Sequence, residues 1–214
     1  MSKERRRQQM TYLILNRIIK TGFSDLTMED FVKMLPLSRA TVYRYFNSRQ
    51  KVISAVVIEY VNYIDQFDLP SFIHDENDWI VNVEKQLEAA LVFYSHFSAI
   101  FLTDLKAEFP HEYQLLQGKI VDHNLHLLEF FRAGQEAGIF NSSKPELWIL
   151  QDQLMVPRIY APDYLLTHKL TIKDAITSYV LMKSQQIIKP RYLSKFDPSF
   201  TATVLEKMNC KIKF

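Results

Sequence analysis

Between residues 38 and 51 the chain reads SRATVYRYFNSRQK, in which Arg39, Arg44, Arg49 and Lys51 are interleaved with Thr41 and Tyr43. These side chains suit nucleic acid. An arginine can give two hydrogen bonds to guanine O6 and N7, and a thymine methyl can meet Ala40 or the Thr41 methyl. The Thr41 and Tyr43 hydroxyls can hold phosphate oxygens. Ser38 and Thr27 stand where helices begin, so free backbone N–H groups there favour a phosphate. Arg49 and Lys51, just past the patterned segment, are placed to clamp a phosphate backbone. The candidate DNA-binding residues are therefore Thr27, Ser38, Arg39, Ala40, Thr41, Tyr43, Arg44, Arg49 and Lys51.

A helix must carry them. At 3.6 residues per turn, Val42 and Phe46 share one face and can pack against Phe31 and Leu35 of a preceding helix. Arg39, Ala40, Thr41, Tyr43 and Arg44 then point outward. Thr27 and Asp30 form a capping-box pattern, with Leu26 and Phe31 as a hydrophobic staple; Ser38 caps the next helix, with Leu37 and Val42 as a second staple. Pro36 ends the first of the two near Leu35. Upstream, Met10, Leu13, Ile14, Arg17 and Ile18 predict a helix over about 5–20, stopped at Gly22. Downstream, Asn47 or Ser48 caps a fourth helix running to Ile64.

Charge is divided along the chain. Residues 1–51 hold eleven Lys and Arg against four Asp and Glu, a balance of +7, so within a total of +2 the remainder carries −5. A basic head on an acidic body suits a polyanion met at one end. Only four glycines and a hydrophobic content of 48% favour an all-α chain with a sizeable core. The single cysteine, Cys210, excludes an internal disulfide framework. No signal peptide and no apolar run long enough to span a membrane is evident, so a cytoplasmic protein with no membrane partner is expected.

The body predicts further helices over about 79–109, 112–137, 145–160 and 171–189, the last capped by Thr171 with Asp174, followed by a tail that holds one short helix over 198–208. His123 and His126 share a face with Asp122 and Glu129 nearby, but no further ligands complete a metal site, so neither metal nor cofactor is expected. There is no P-loop, nucleophile elbow or zincin motif, so no catalytic residues are assigned and the chain does not read as an enzyme.

The head resembles the DNA-binding domain of the TetR family of bacterial transcriptional regulators over about residues 5–60. The resemblance rests on Gly22, Phe23 and Leu26-Thr27, then on Leu37 to Phe46 with its Ser-x-x-Thr-hydrophobic-Tyr-x-x-Phe pattern, then on Ser48 to Lys51. One departure is Pro36, at a turn where the family usually has glycine; proline cannot adopt positive φ, so a different turn is expected.

The resemblance implies an all-α fold: a helix-turn-helix DNA-binding domain over 1–50, a helical effector-binding and dimerisation domain over 51–190, and a tail over 191–214. It implies a homodimer on a near-palindromic double-stranded DNA operator, acting as a repressor released by an unidentified small-molecule effector. Candidate pocket residues are Tyr94, Phe97, Phe101, Tyr113, His126, Phe130 and Trp148, with Phe131 and Tyr160 in the same aromatic set. Candidate dimer residues are Ile172, Ile176, Tyr179, Val180 and Ile187. Two alternatives are a DNA-binding regulator controlled by a protein partner and an enzyme using the helical body.

Overall fold

The computed structural model describes residues 2–67, 73–95 and 98–209. Eleven α-helices follow one another among them: α1 (Lys3–Thr21), α2 (Met28–Lys33), α3 (Arg39–Tyr45), α4 (Arg49–Ile64), α5 (Glu76–Ser95), α6 (Ala99–Glu108), α7 (Pro110–Glu136), α8 (Pro145–Ile159), α9 (Pro162–His168), α10 (Ile172–Ile187) and α11 (Thr201–Asn209). No strand occurs among the described residues; Phe140 and Ile188 form an isolated bridge. None of the described helices is long and apolar enough to cross a membrane. Phe97 and Cys210 lie outside the described residues.

The start signals act where the sequence places them. Ser38 Oγ accepts from Thr41 N at 3.3 Å, and Ser48 Oγ accepts from Lys51 N at 3.3 Å, so Ser48 rather than Asn47 begins α4. Asp30 accepts from the backbone and hydroxyl of Thr27 at 3.0 and 2.6 Å. Those bonds, and the charge of Lys33, hold its carboxyl down at about 2. Thr171 and Asp174 repeat the device at α10, the hydroxyl bond to Thr171 again lowering the carboxyl's pKa. The single run expected over 79–109 is two helices, because Ser98 caps a new start at α6 by accepting from Phe101 N at 3.4 Å.

Division by compactness yields two units that cut the chain differently from a boundary near residue 50. Of the described residues, the first takes 2–66 together with 98–121; the second takes 67, 73–95 and 122–209. Thus α4, α6 and the first turns of α7 belong with the head.

In the first unit, α1 packs on α4 and α6. Its core holds Ile14, Ile18, Phe23, Phe31, Val42, Phe46, Val52 and Phe101, each no more than 1% exposed. Phe23 meets Phe101 edge-on at 5.5 Å, and Tyr60 meets the same ring at 6.3 Å. Burying side chains of this size contributes roughly 1.5–3 kcal/mol each.

In the second unit, α5 and α10 pack on α8, and α11 packs on α5. Trp79, Phe130, Phe131, Phe140 and Trp148 form a ring-on-ring core, Trp79 stacked on Phe130 at 5.5 Å and Phe131 edge-on to Trp148 at 5.2 Å. Gly134 is required there, since a Cβ at that position would occupy the Phe140 ring. The described part of the tail, 191–209, is structured. Val204 of α11 is fully buried, Lys195 pairs with Glu76 at 3.0 Å, and Glu84 accepts from Asp197 N at 2.7 Å.

Candidate nucleic-acid interface

The reading helix sits on a hydrophobic seat. Val42 and Phe46 are 0% exposed, as is Phe31, and Leu35 is 6% exposed, so one face of α3 is fixed against α2 and the core. Arg7 lies over the Phe46 ring at 5.6 Å. The turn that carries Pro36 is closed without a left-handed residue: Met34 N donates to Phe31 O at 3.2 Å and Leu35 N to Val32 O at 3.1 Å. Positive φ occurs only at Gly22, Gly138 and Lys169 among the described residues. The glycine-free turn is thus satisfied by tight bonds at the end of α2.

The opposite face of α3 is open. Ser38, Arg39, Ala40 and Arg44 are exposed, and Thr41 and Tyr43 are half-buried. Arg44 lies over the Tyr45 ring at 5.5 Å, and no carboxylate among the described residues is within ion-pairing distance of it. Ser38 and Thr41 share a hydrogen bond between their hydroxyls at 2.9 Å. Arg39 and Tyr43 converge on one carboxylate, Glu29 of α2: Arg39 pairs with its Oε1 at 2.7 Å and the Tyr43 hydroxyl donates to the same atom at 2.9 Å. Lys51 is exposed on the first turn of α4, and Thr27 is exposed with its hydroxyl turned to Asp30.

Arg49, expected at the phosphates, is engaged elsewhere. It pairs with Glu108 and donates to Phe23 O at 2.8 Å and Ser24 O at 3.2 Å, with its guanidinium over the rings of Phe23 and Phe109 at 5.5 and 5.3 Å. That geometry makes it a strut between the α1–α2 loop, α4 and α6. Two other acids of this region do similar work. Asp104 accepts from Phe23 N at 2.6 Å and Ser24 N at 3.0 Å; Glu112, buried, accepts from Gln50 and Ser54 of α4, each at 2.6 Å. Gly22, at φ 77°, lets Asp104 approach: a Cβ there would meet its carboxylate and the Ile100 side chain. Asp104, Glu108 and Glu112 recur every four residues in the sequence, yet their partners lie 58–81 positions away, beyond the reach of local pattern.

The aromatic pocket candidates are not one lining. Phe101 belongs to the first unit's core, where Tyr113 lies beneath Lys106 at 5.9 Å. Phe130 and Trp148 are committed to the ring-on-ring core of the second unit, Phe131 with them, and His126 is exposed. Tyr94, buried, lies beside a polar group that the sequence reading did not pick out. There Asp152 accepts from the Tyr179 hydroxyl and pairs with Lys183 at 3.0 Å, and Lys183 also donates to Trp148 O at 2.7 Å. Burial pushes the Asp152 carboxyl up and the Lys183 ammonium down, each held back by the other's charge. Burial also pushes the Tyr94 and Tyr179 phenols up, and the Asp152 charge adds to both shifts.

The stripe expected at a dimer face turns inward. Ile176, Tyr179, Val180 and Ile187 are no more than 3% exposed within the single subunit, and Ile172 is half-buried. The α10 side chains with that spacing fill the core because α8 and α11 pack on them. Exposed apolar side chains occur on several helices, Leu181 of α10 among them, and on α8 they form a row, with Leu147, Leu150 and Leu154 exposed at 61%, 45% and 65%.

A putative TetR-family transcriptional regulator from Rhodococcus sp. matches 84% of the chain and 96% of its own length, with a TM-score of 0.60 at 15% identity. A tetR-family regulatory protein from Rhodococcus RHA1 matches 87% and 98%, with a TM-score of 0.62 at 14% identity. The chain has the TetR-family fold. GusR of Salmonella enterica matches the same share at a TM-score of 0.54 and 13% identity. In sequence, an uncharacterized HTH-type transcriptional regulator of Bacillus subtilis, YvaF, is 21% identical over 164 residues, 77% of this chain and 86% of that one. No family profile matches the chain.

Proposed function

We propose that this chain is a TetR-type transcriptional regulator that reads double-stranded DNA with α3. The observation that carries the proposal is the division of α3 itself. Val42 and Phe46 are buried, while Arg39, Ala40 and Arg44 are exposed and Thr41 and Tyr43 stand at the edge of the same face. In helix-turn-helix proteins such a face enters the major groove, and its first residues contact base edges. The TetR-family fold and the HTH-type regulator in Bacillus subtilis support the same reading.

Seven residues read too few bases for a unique site, so the working form is a homodimer. Leu147, Leu150 and Leu154 recur at i, i+3 and i+7 along α8, and an exposed apolar row of this kind favours a protein partner. Two copies of α3 would then address half-sites one helical turn apart, roughly 34–36 Å, or a multiple of it, on a near-palindrome.

The mode is repression relieved by a small molecule received in the second unit. There Tyr94, together with Asp152, Tyr179 and Lys183, now paired with one another in the core, would supply the few polar groups that a mostly apolar site uses for selection. The signal would reach the head through α7, whose helix is continuous from Glu112, the acceptor for α4, into the second unit. The ligand shifts the equilibrium only by its differential affinity for the two forms.

Selection of bound duplexes from a random-sequence pool tests the assignment. The expected result is enrichment of a near-palindrome by the wild-type protein and its loss with Arg44→Ala. Equal enrichment by both would remove α3 from the interface.

A further inference from the structure

Glu29 is an acid on a surface otherwise built to meet a polyanion. Its Oε1 takes the Arg39 guanidinium at 2.7 Å and the Tyr43 hydroxyl at 2.9 Å, and Arg39 lies over the Tyr43 ring at 5.3 Å. The three side chains form a closed triangle across α2 and α3. Arg39 keeps 69% and Glu29 44% of its side-chain exposure, so the triangle is at the surface and accessible. Lys33 is occupied by Asp30 at 3.2 Å, and the Asp30 carboxylate is occupied by Thr27. Arg39 therefore has Glu29 as its ion-pair partner, while Arg44 on the same face has none among the described residues.

We infer that Glu29 is an electrostatic brake on DNA binding: it holds Arg39 and Tyr43 on its carboxylate, and both must leave it before Arg39 can neutralise a phosphate. The inference rests on the reading of α3 as the groove-facing helix. Two charge effects act in one direction. The carboxylate cancels one cation of the reading surface, and it repels the phosphates that this surface approaches. Tyr43 is thereby restrained beside Arg39, so release of one loosens the other. A residue in this role sets how tightly the protein holds DNA of any sequence and how steeply that grip falls with salt.

The effect has a definite size. Each neutralised phosphate contributes a slope of about −0.9 to log K against log salt. One additional phosphate contact is then worth about eightfold in affinity at roughly 0.1 M salt. Glu29→Gln keeps an oxygen to accept from Tyr43 and removes the charge. Its expected behaviour on a labelled duplex of arbitrary sequence is a gain of about eightfold and a slope steeper by about one.

The experiment is a fluorescence-anisotropy titration of that duplex over roughly 50–200 mM salt, with wild type, Glu29→Gln, Arg39→Ala and the double variant. The proposal requires most of the gain from Glu29→Gln to be lost in the Arg39→Ala background, since the released cation is then absent and only the carboxylate's own repulsion is left to relieve. A gain that persists there undiminished is general charge removal and overturns it; so does no gain, or a loss, in the single variant. Arg44→Ala run alongside separates the two levels. If it weakens binding while Glu29→Gln changes nothing, the brake fails and the reading of α3 stands. If Arg44→Ala changes nothing either, the reading of α3 itself fails.

Discussion

The buried pair between α8 and α10 makes a quantitative prediction. Lys183 is 1% exposed and Asp152 8% exposed, and they pair at 3.0 Å with Tyr179 completing the carboxylate's shell. Removing one partner leaves the other buried without its counter-charge, which costs about 3–5 kcal/mol. In a chain of this size that lowers Tm by about 6–20 °C, at 2–4 °C per kcal/mol. Removing both partners, as in Asp152→Asn with Lys183→Met, costs less than the sum of the single changes, because no lone charge remains. The pH dependence separates the two single variants. In Asp152→Asn the lysine loses the charge that props it up, so its folded pKa lies below the unfolded value near 10.4. The unfolded chain then binds the extra proton, and stability rises with pH through that window, by up to about 1.4 kcal/mol per pH unit. In Lys183→Met the Asp152 carboxyl, already raised by burial, rises further above its unfolded value near 3.9. The folded chain now holds the extra proton, so stability falls as pH climbs from about 4 through the folded pKa. Urea unfolding of both variants at a series of pH values measures the slopes. Single-variant costs below about 1 kcal/mol, or slopes of the same sign, would refute a buried, charged pair.

Three shorter predictions concern the rest of the scaffold. Gly22→Ala places a Cβ against Asp104 and Ile100 at a φ of 77°, and is expected to destabilise by about 1–3 kcal/mol in thermal melts; an unchanged Tm would contradict the close approach. Asp30 and Asp174 are held below their unfolded pKa by the capping threonines. The Asp30 contribution is therefore present above about pH 4 and fades as pH falls toward 2, and that of Asp174 is lost in the same direction, so Asp30→Asn and Asp174→Asn should each flatten the acid loss of helicity by circular dichroism. Leu150→Glu with Leu154→Glu puts two charges on the exposed row of α8; on the proposed homodimer, sedimentation is expected to show the wild type as a dimer and the variant as a monomer, and an intact dimer in the variant would move the interface off this helix.

Much of the head was legible in sequence because its determinants are local. Thr27 with Asp30, Ser38 and Ser48 act within three residues, and the Val42–Phe46 spacing alone orients α3. Pro36 likewise announced a turn without positive φ. What sequence missed depends on distant partners. Arg49 reads as a phosphate clamp by type and position, yet Glu108, 59 residues on, captures it. Glu29 reads as an ordinary first-turn acid until the fold brings Arg39 and Tyr43 onto it. The apolar periodicity of α10 gives the face that is buried but not what buries it, so Ile176 and Val180 read as a dimer stripe while they fill their own subunit's core. The aromatic residues of the body carry no signal that separates a pocket lining from a ring-packed core, and Phe130 with Trp148 belongs to the latter.

The central claim is that α3 is the DNA-reading element, and a binding titration tests it most directly. The variant replaces Thr41, Tyr43 and Arg44 together by alanine and leaves the buried Val42 and Phe46 untouched. Its melting curve first establishes that the head remains folded. Against a duplex selected by the wild-type protein, the account predicts loss of at least two orders of magnitude in affinity, since each specific base contact is worth about 1–3 kcal/mol. A folded variant that binds that duplex as tightly as the wild type would contradict it.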